Sequence, residues 1–171
     1  MSSPAPPSTA SSLYKALHAT ALSFIGSQSD NPSLPTRIDF PRLETLCTPS
    51  FTHSFGHTYF ASLSPPHLHG SLSLSAFTSH LSSMLTRLET WEAKISDVLV
   101  DEAKREVMLR ISFFMRAKGV EEVVENEIVW VLGMEEQGEK EQGQWKVCRS
   151  VEFVDGVAAG RLKELMMGGA K

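Results

Sequence analysis

The feature that most restricts how this chain can fold is a change in apolar periodicity near Glu89. Before it, hydrophobic residues recur at helical spacing; after it, they alternate along the chain. Leu13, Leu17, Ala21, Phe24 and Ile25 fall on one helical stripe, with Ser11 or Ser12 available as N-cap. The stretch 26–36, GSQSDNPSLPT, ends that helix. Pro41 then stands in the first turn of a short second helix over 42–47, whose Leu43, Leu46 and Cys47 face inward. Residues 51–70 hold aromatics, histidines and a Pro65-Pro66 pair without a sustained period, and read as a short extended piece followed by a long loop. Leu74, Phe77, Leu81, Met84, Leu85 and Leu88 predict a third helix, capped by one of Ser71, Ser73 and Ser75.

Beyond Glu89 the stretches 91–100, 107–116, 120–134 and 145–154 read as strands. Their connections, at 101–106, 117–119 and 135–144, are short enough for hairpins, so the strands form an antiparallel meander. Asp155 then caps a last helix that runs through Met167 and stops at Gly168-Gly169. Helices followed by strands define an α+β chain, with helices packed on one face of a curved antiparallel sheet. Leu109, Ile111 and Phe113 lie on one face of their strand, yet Met108 and Phe114 make the other face apolar as well. A homodimer paired through the outer sheet face is therefore expected.

The 171 residues suit a single domain over 11–167, with a disordered tail at 1–10 and a flexible tail at 168–171. Sixteen Lys and Arg against twenty Asp and Glu leave a formal charge of −4, without the basic surface that nucleic-acid binding requires. No apolar run approaches the roughly 18 residues of a membrane-spanning helix, so no membrane partner is expected. The opening MSSPAPPSTA lacks the charged and apolar regions of a signal peptide, and Cys47 and Cys148 read as buried thiols of a cytoplasmic protein. Neither a GxSxG elbow nor a GxGxxG or GxxxxGK[ST] phosphate loop occurs, so nucleophilic hydrolysis and nucleotide dependence have no support.

Three stretches carry a family likeness: LCTPSFTHSFG at 46–56, VVENEIVWVLGMEEQG at 123–138 and RSVEFVDGVAAGRLKEL at 149–165. With the order of elements over 11–167, they resemble the nuclear transport factor 2-like cone fold and, within it, the SnoaL-like polyketide cyclase and isomerase group. The first is similar to a segment of small fungal isomerases of meroterpenoid and xanthone pathways. The resemblance implies a cone used as a pocket for a small hydrophobic organic substrate, without metal or organic cofactor. It implies isomerisation or cyclisation of a polyketide- or terpenoid-type carbonyl compound by acid/base proton transfer in secondary metabolism. Two alternatives stay open: a dehydratase resembling scytalone dehydratase, and a non-catalytic binding module. In the resembled cyclases an acidic residue three positions before the terminal Asp acts as acid/base; here that position is Glu152, followed by Asp155. This chain has Glu where the family has Asp, and its 51–70 and 135–144 loops differ from short bacterial forms.

Strict alternation puts Cys148, Ser150, Glu152 and Val154 on one face, and Val147, Arg149, Val151 and Phe153 on the other. A carboxylate on such a face is costly unless paired or solvated in a cavity, and burial raises its pKa toward the range useful for proton transfer. The alternative is an ion pair at a dimer interface. Glu125 and Glu127 share one face of their strand, and Asn126, Ile128 and Trp130 the other, so only one set faces a pocket. Glu127 facing inward gives a second carboxylate beside Glu152; facing outward it is a solvated strand end. His53, matching the resembled family's Thr-His, is a candidate general base or hydrogen-bond donor, or else a core histidine bonded to backbone. His57 lies four positions on, but the segment is not helical, so no metal site is expected. Phe55, His57, Tyr59, Trp130, Arg110 and Asp155 complete the substrate-binding candidates. For Arg110 and Arg149 interstrand ion pairs are the commoner fate. His67 and His69 read as part of a mobile lid, and His80 lies on the third helix beside its apolar stripe.

Overall fold

A computed structural model of the protein describes residues 4–138 and 143–168. The first helix, α1 (Ser12–Gly26), starts where the Ser11 side chain accepts the Tyr14 N–H at 2.9 Å. The second, α2 (Phe40–Leu46), is capped by Asp39 and has Pro41 in its first turn, where no N–H is required. Strand β1 (Cys47–Phe55) follows at once. The segment expected to be a long loop holds a short helix α3 (Thr58–Ser62), a 3-10 turn (Pro66–Leu68) and a short strand β2 (Ser71–Ser73). Helix α4 (Leu74–Leu85), capped by Ser73, precedes four long strands. These are β3 (Leu88–Asp101), β4 (Glu106–Ala117), β5 (Val123–Gln137) and β6 (Gln144–Val154), and α5 (Gly156–Gly168) ends the fold.

The sheet order is β2-β1-β6-β5-β4-β3, and its last four strands form the expected antiparallel meander. Strand β1 corrects the sequence reading. It runs nine residues, pairs parallel with β6, and takes β2 antiparallel on its far side. Its sequence, CTPSFTHSF, holds a proline and two serines, so the alternation of buried Phe51 and His53 was too diluted to announce a strand. What orders it is the ladder to β6, a pairing almost one hundred residues away in sequence.

A second correction concerns β6. Gly133 pairs with Arg149 while Met134 pairs with Val147, so Cys148 is the extra residue of a β-bulge. The bulge resets alternation, and Val147, expected on the outer face, is fully buried alongside Ser150. Cys148 is half-buried rather than buried, and both cysteines are free thiols. Burial pushes the Cys47 thiol up to about 12.

Leu17, Ala21, Phe24 and Ile25 of α1 pack with Leu109, Ile111, Ile128, Trp130 and Leu132 of the sheet. Leu162 of α5 closes a second cluster with Leu88, Trp91, Met115 and Val124. On the outer face Arg110 pairs with Glu127 at 2.7 Å and Arg149 with Glu106 at 2.5 Å, the interstrand fate expected for both arginines. Among the described residues no helix is long and apolar enough to cross a membrane. The expected tails lie partly outside the described residues; within 4–10 a turn brings the Ala10 N–H to the Pro7 carbonyl at 3.0 Å.

Candidate active site

Between α4, α5, the 56–70 segment and the inner sheet face the layers do not meet, and a cavity of about 610 Å³ remains. That size suits a small organic ligand. Its walls are mostly apolar: Phe55 and Phe77 on one side, Phe113, Met115, Ile128 and Trp130 on the sheet, Leu162 and Met166 on α5. The aromatic and methionine side chains line the space rather than fill it. Glu152, carried by β6 to the inner face, is the carboxylate in the wall, while the cations Arg87 and Lys163 that also line it are exposed.

Glu152 is 13% exposed, and what exposure it has opens on the cavity. Loss of solvation raises its pKa from the ordinary 4.5 to about 8, with no cation near enough to offset the effect. Behind it lies His53, fully buried on β1. The parallel register sets His53 opposite Ser150 and Phe55 opposite Glu152. His53 Nδ1 is 2.6 Å from Ser150 Oγ, and its Nε2 is 3.5 Å from Glu152 Oε2. The ring stacks on Phe77, with centroids 4.3 Å apart, and lies 5.6 Å from that of Trp130.

Burial, and then the neighbouring His80, push His53 down to about 3. The spacing of His53 and Glu152 would allow an ion pair, but burial drives both toward their neutral forms, and apolar surroundings favour the neutral pair. The tautomer with the proton on Nδ1 would donate to Ser150 Oγ and leave the Nε2 lone pair facing the Glu152 carboxyl. Neither His53 Nε2 nor Trp130 Nε1 has a well-formed hydrogen bond among the described residues.

The structure brings three of the sequence candidates to the cavity wall: Phe55, Trp130 and Glu152. His53 stands directly behind that wall, so it reaches substrate only through Glu152. The others lie elsewhere. Glu127 and Arg110 pair with each other on the outer face, because alternation along β5 turned Asn126, Ile128 and Trp130 inward. His57, with φ 54°, turns the chain from β1 into α3, and its ring packs edge-on against Phe153. Tyr59 is 78% exposed, while its neighbour Phe60 enters the cavity. Asp155 is a helix cap, its side chain accepting the N–H groups of Val157 and Ala158 at 2.8 and 3.2 Å. His69 is exposed and bonded to the Ser64 carbonyl; the His67 side chain lies outside the described residues.

Sequence reasoning passed over Asn126, which is 4% exposed and lines the cavity beside Ile128. Its parity with Trp130 was the available signal. It also passed over the cavity role of His80, whose ring stands edge-on to Phe55 at 5.8 Å.

No protein-family model matches the chain, and no curated protein sequence does. Solved structures match over nearly its whole length. The pinacolase BvnE from Penicillium brevicompactum superposes with a TM-score of 0.69 at 15% identity, covering 94% of this chain and 97% of that one. PrhC from Penicillium brasilianum NBRC 6234 gives 0.66 at 20% identity, covering 94% and 95%. A protein described as a SnoaL-like polyketide cyclase, from Jannaschia sp. CCS1, gives 0.65 at 11% identity, covering 96% and 99%. The chain therefore shares its fold with these proteins, the nuclear transport factor 2-like cone. At such identities the likeness establishes architecture, and the chemistry has to be argued from the site.

Proposed function

We propose that the protein is a cofactor-independent isomerase or cyclase that moves protons on an apolar carbonyl compound, with Glu152 as the catalytic acid and base. The observation that carries this reading is the raised Glu152 carboxyl in the wall of an open, mostly apolar cavity. A group with pKa about 8 is mostly protonated at neutral pH yet ionised often enough to act in both directions. The ionised carboxylate takes a proton from the carbon alpha to the carbonyl, and the resulting carboxylic acid returns a proton to the enolate at oxygen or at another carbon. His53 is a positioning residue here: locked by Ser150 and stacked on Phe77, it stays neutral and backs the Glu152 carboxyl, with Nε2 3.5 Å from Oε2. The dry walls keep water from the enolate and fix the fold of the substrate. The similarity to a protein described as a SnoaL-like polyketide cyclase supports a polyketide-type substrate, and the resemblance of residues 46–56 to small fungal meroterpenoid-pathway isomerases keeps a terpenoid-type one in the class.

The test is incubation with a panel of polyketide- and terpenoid-type ketones in deuterated water, followed by mass spectrometry. Deuterium incorporation or a product of unchanged mass is expected, and loss of a water mass would reassign the enzyme as a dehydratase. Glu152→Gln is expected to lower the rate by about 10²–10⁴, the usual contribution of general acid–base catalysis. An undiminished rate would remove Glu152 from the mechanism.

A further inference from the structure

Asn126 is fixed in a way that leaves a donor for a ligand. Its Oδ1 accepts the backbone N–H of Asp155 at 3.2 Å, a donor shared with the Glu127 carbonyl at 3.2 Å, at the junction of β6 and α5. That bond commits the oxygen and turns the NH₂ the other way. Among the described residues the Asn126 nitrogen makes no hydrogen bond, and it is not one of the sealed unpartnered atoms, His53 Nε2 and Trp130 Nε1; it opens on the cavity that the residue lines. An amide NH₂ that opens on a mostly apolar cavity is matched by an acceptor on the ligand that fills it.

The spacing of this donor from Glu152 is set by the sheet. Trp130 is the register partner of Glu152, and Asn126 is four residues from Trp130 on the same face. At 3.3–3.4 Å per residue the two polar points are separated by about 13 Å of strand. Between them the floor is made by the facing pair Ile128 and Val154, both apolar and both lining the cavity.

We infer that Asn126 is the second recognition point of the cavity, and that the substrate class is an elongated apolar ketone bearing a further oxygen acceptor about 10 Å from the reacting carbonyl, which is the strand separation less about 3 Å for the hydrogen bond to the amide. The inference rests on the proton-transfer reading of Glu152. Asn126 sets orientation: with its oxygen held at the far end, the substrate presents the right carbonyl to the acid. A buried donor matched only by the correct ligand also discriminates against analogues lacking that oxygen.

Two rigid probes differ in that oxygen alone: bi(cyclohexane)-4,4′-dione, whose carbonyl oxygens stand about 10 Å apart, and 4-cyclohexylcyclohexanone. Calorimetric titration of the intact protein is expected to show the diketone binding about tenfold tighter. Asn126→Leu, alike in branching and lacking both polar atoms, should erase that preference. If that variant fails to fold, Asn126→Ala, which removes both polar atoms without adding bulk, reads the same loss. Equal affinities in the unaltered protein, a variant weakening both ketones equally, or no diketone binding below millimolar concentration would each overturn the inference. Deuterium exchange into the same ketones separates it from the reading beneath it. Preference without exchange sinks the proton-transfer proposal and leaves the two-point spacing standing; exchange without preference does the reverse.

Discussion

His53 and Glu152 are one unit seen from two strands, and their opposed titrations make the pair measurable. Glu152 keeps its proton up to about pH 8 when folded but releases it near 4.5 when unfolded, so its contribution to stability is lost as pH rises through that window. His53 stays neutral down to about pH 3 when folded but takes a proton near 6.5 when unfolded, so its contribution is lost as pH falls through that range. Between about 4.5 and 6.5 the two slopes oppose each other, and the pair favours a stability maximum there. Thermal melts across pH should show Glu152→Gln flattening the decline above pH 6.5. A slope the same as that of the unaltered protein would mean that Glu152 is solvated and ionised. At this scale sequence reasoning located the carboxylate and the histidine, but not that one stands behind the other. Strand parity says which face a side chain takes; depth is decided by what packs in front, and here Phe55, Phe77 and Trp130 do so.

At the scale of elements, the junction of β6 with α5 connects the strand that carries Glu152 to the cavity wall. Asp155 caps α5 with its side chain and donates its backbone N–H to Asn126, so one residue anchors both the helix and the amide. Asp155→Ala should cost about 1 kcal/mol through the lost cap, read as a lower denaturation midpoint. It should spare the pH dependence of the Glu152 contribution; a changed pH profile would give Asp155 the direct role expected from sequence. The bulge at Cys148 is the other decisive element, because it lets Val147 and Ser150 both face inward. The sequence carried the right faces for Ser150, Glu152 and Val154 because no bulge separates them. It misassigned Val147 because nothing local marks where an extra residue enters a ladder. Helix caps at Ser11, Ser73 and Asp155 were readable, since a cap is a contact between near neighbours.

For the whole molecule, the outer sheet face carries an apolar row across four strands: Leu99 faces Met108, Met108 faces Val131, and Val131 faces Val151. Leu99 and Met108 are 62% and 44% exposed. This row supports the proposal of a homodimer paired through the sheet. Light scattering should give twice the 18.8 kDa chain mass, and Met108→Glu should shift the protein toward monomer. A monomer at tens of micromolar would leave the row as plain surface and remove the proposal.

By itself the sequence determined the α+β order, the four long strands, the caps and the acid on the last strand. These depend on periodicity and near-neighbour chemistry, which a linear reading contains. Only the tertiary structure decided that β1 joins the sheet, that Glu127 and Arg110 pair outside while Asn126 turns inward, and that a cavity separates the layers. Each depends on pairings between distant segments. The same carboxyl is an ordinary acid on a solvated strand and a group that keeps its proton to about pH 8 in an apolar wall, and the difference lies in what the rest of the chain folds around it.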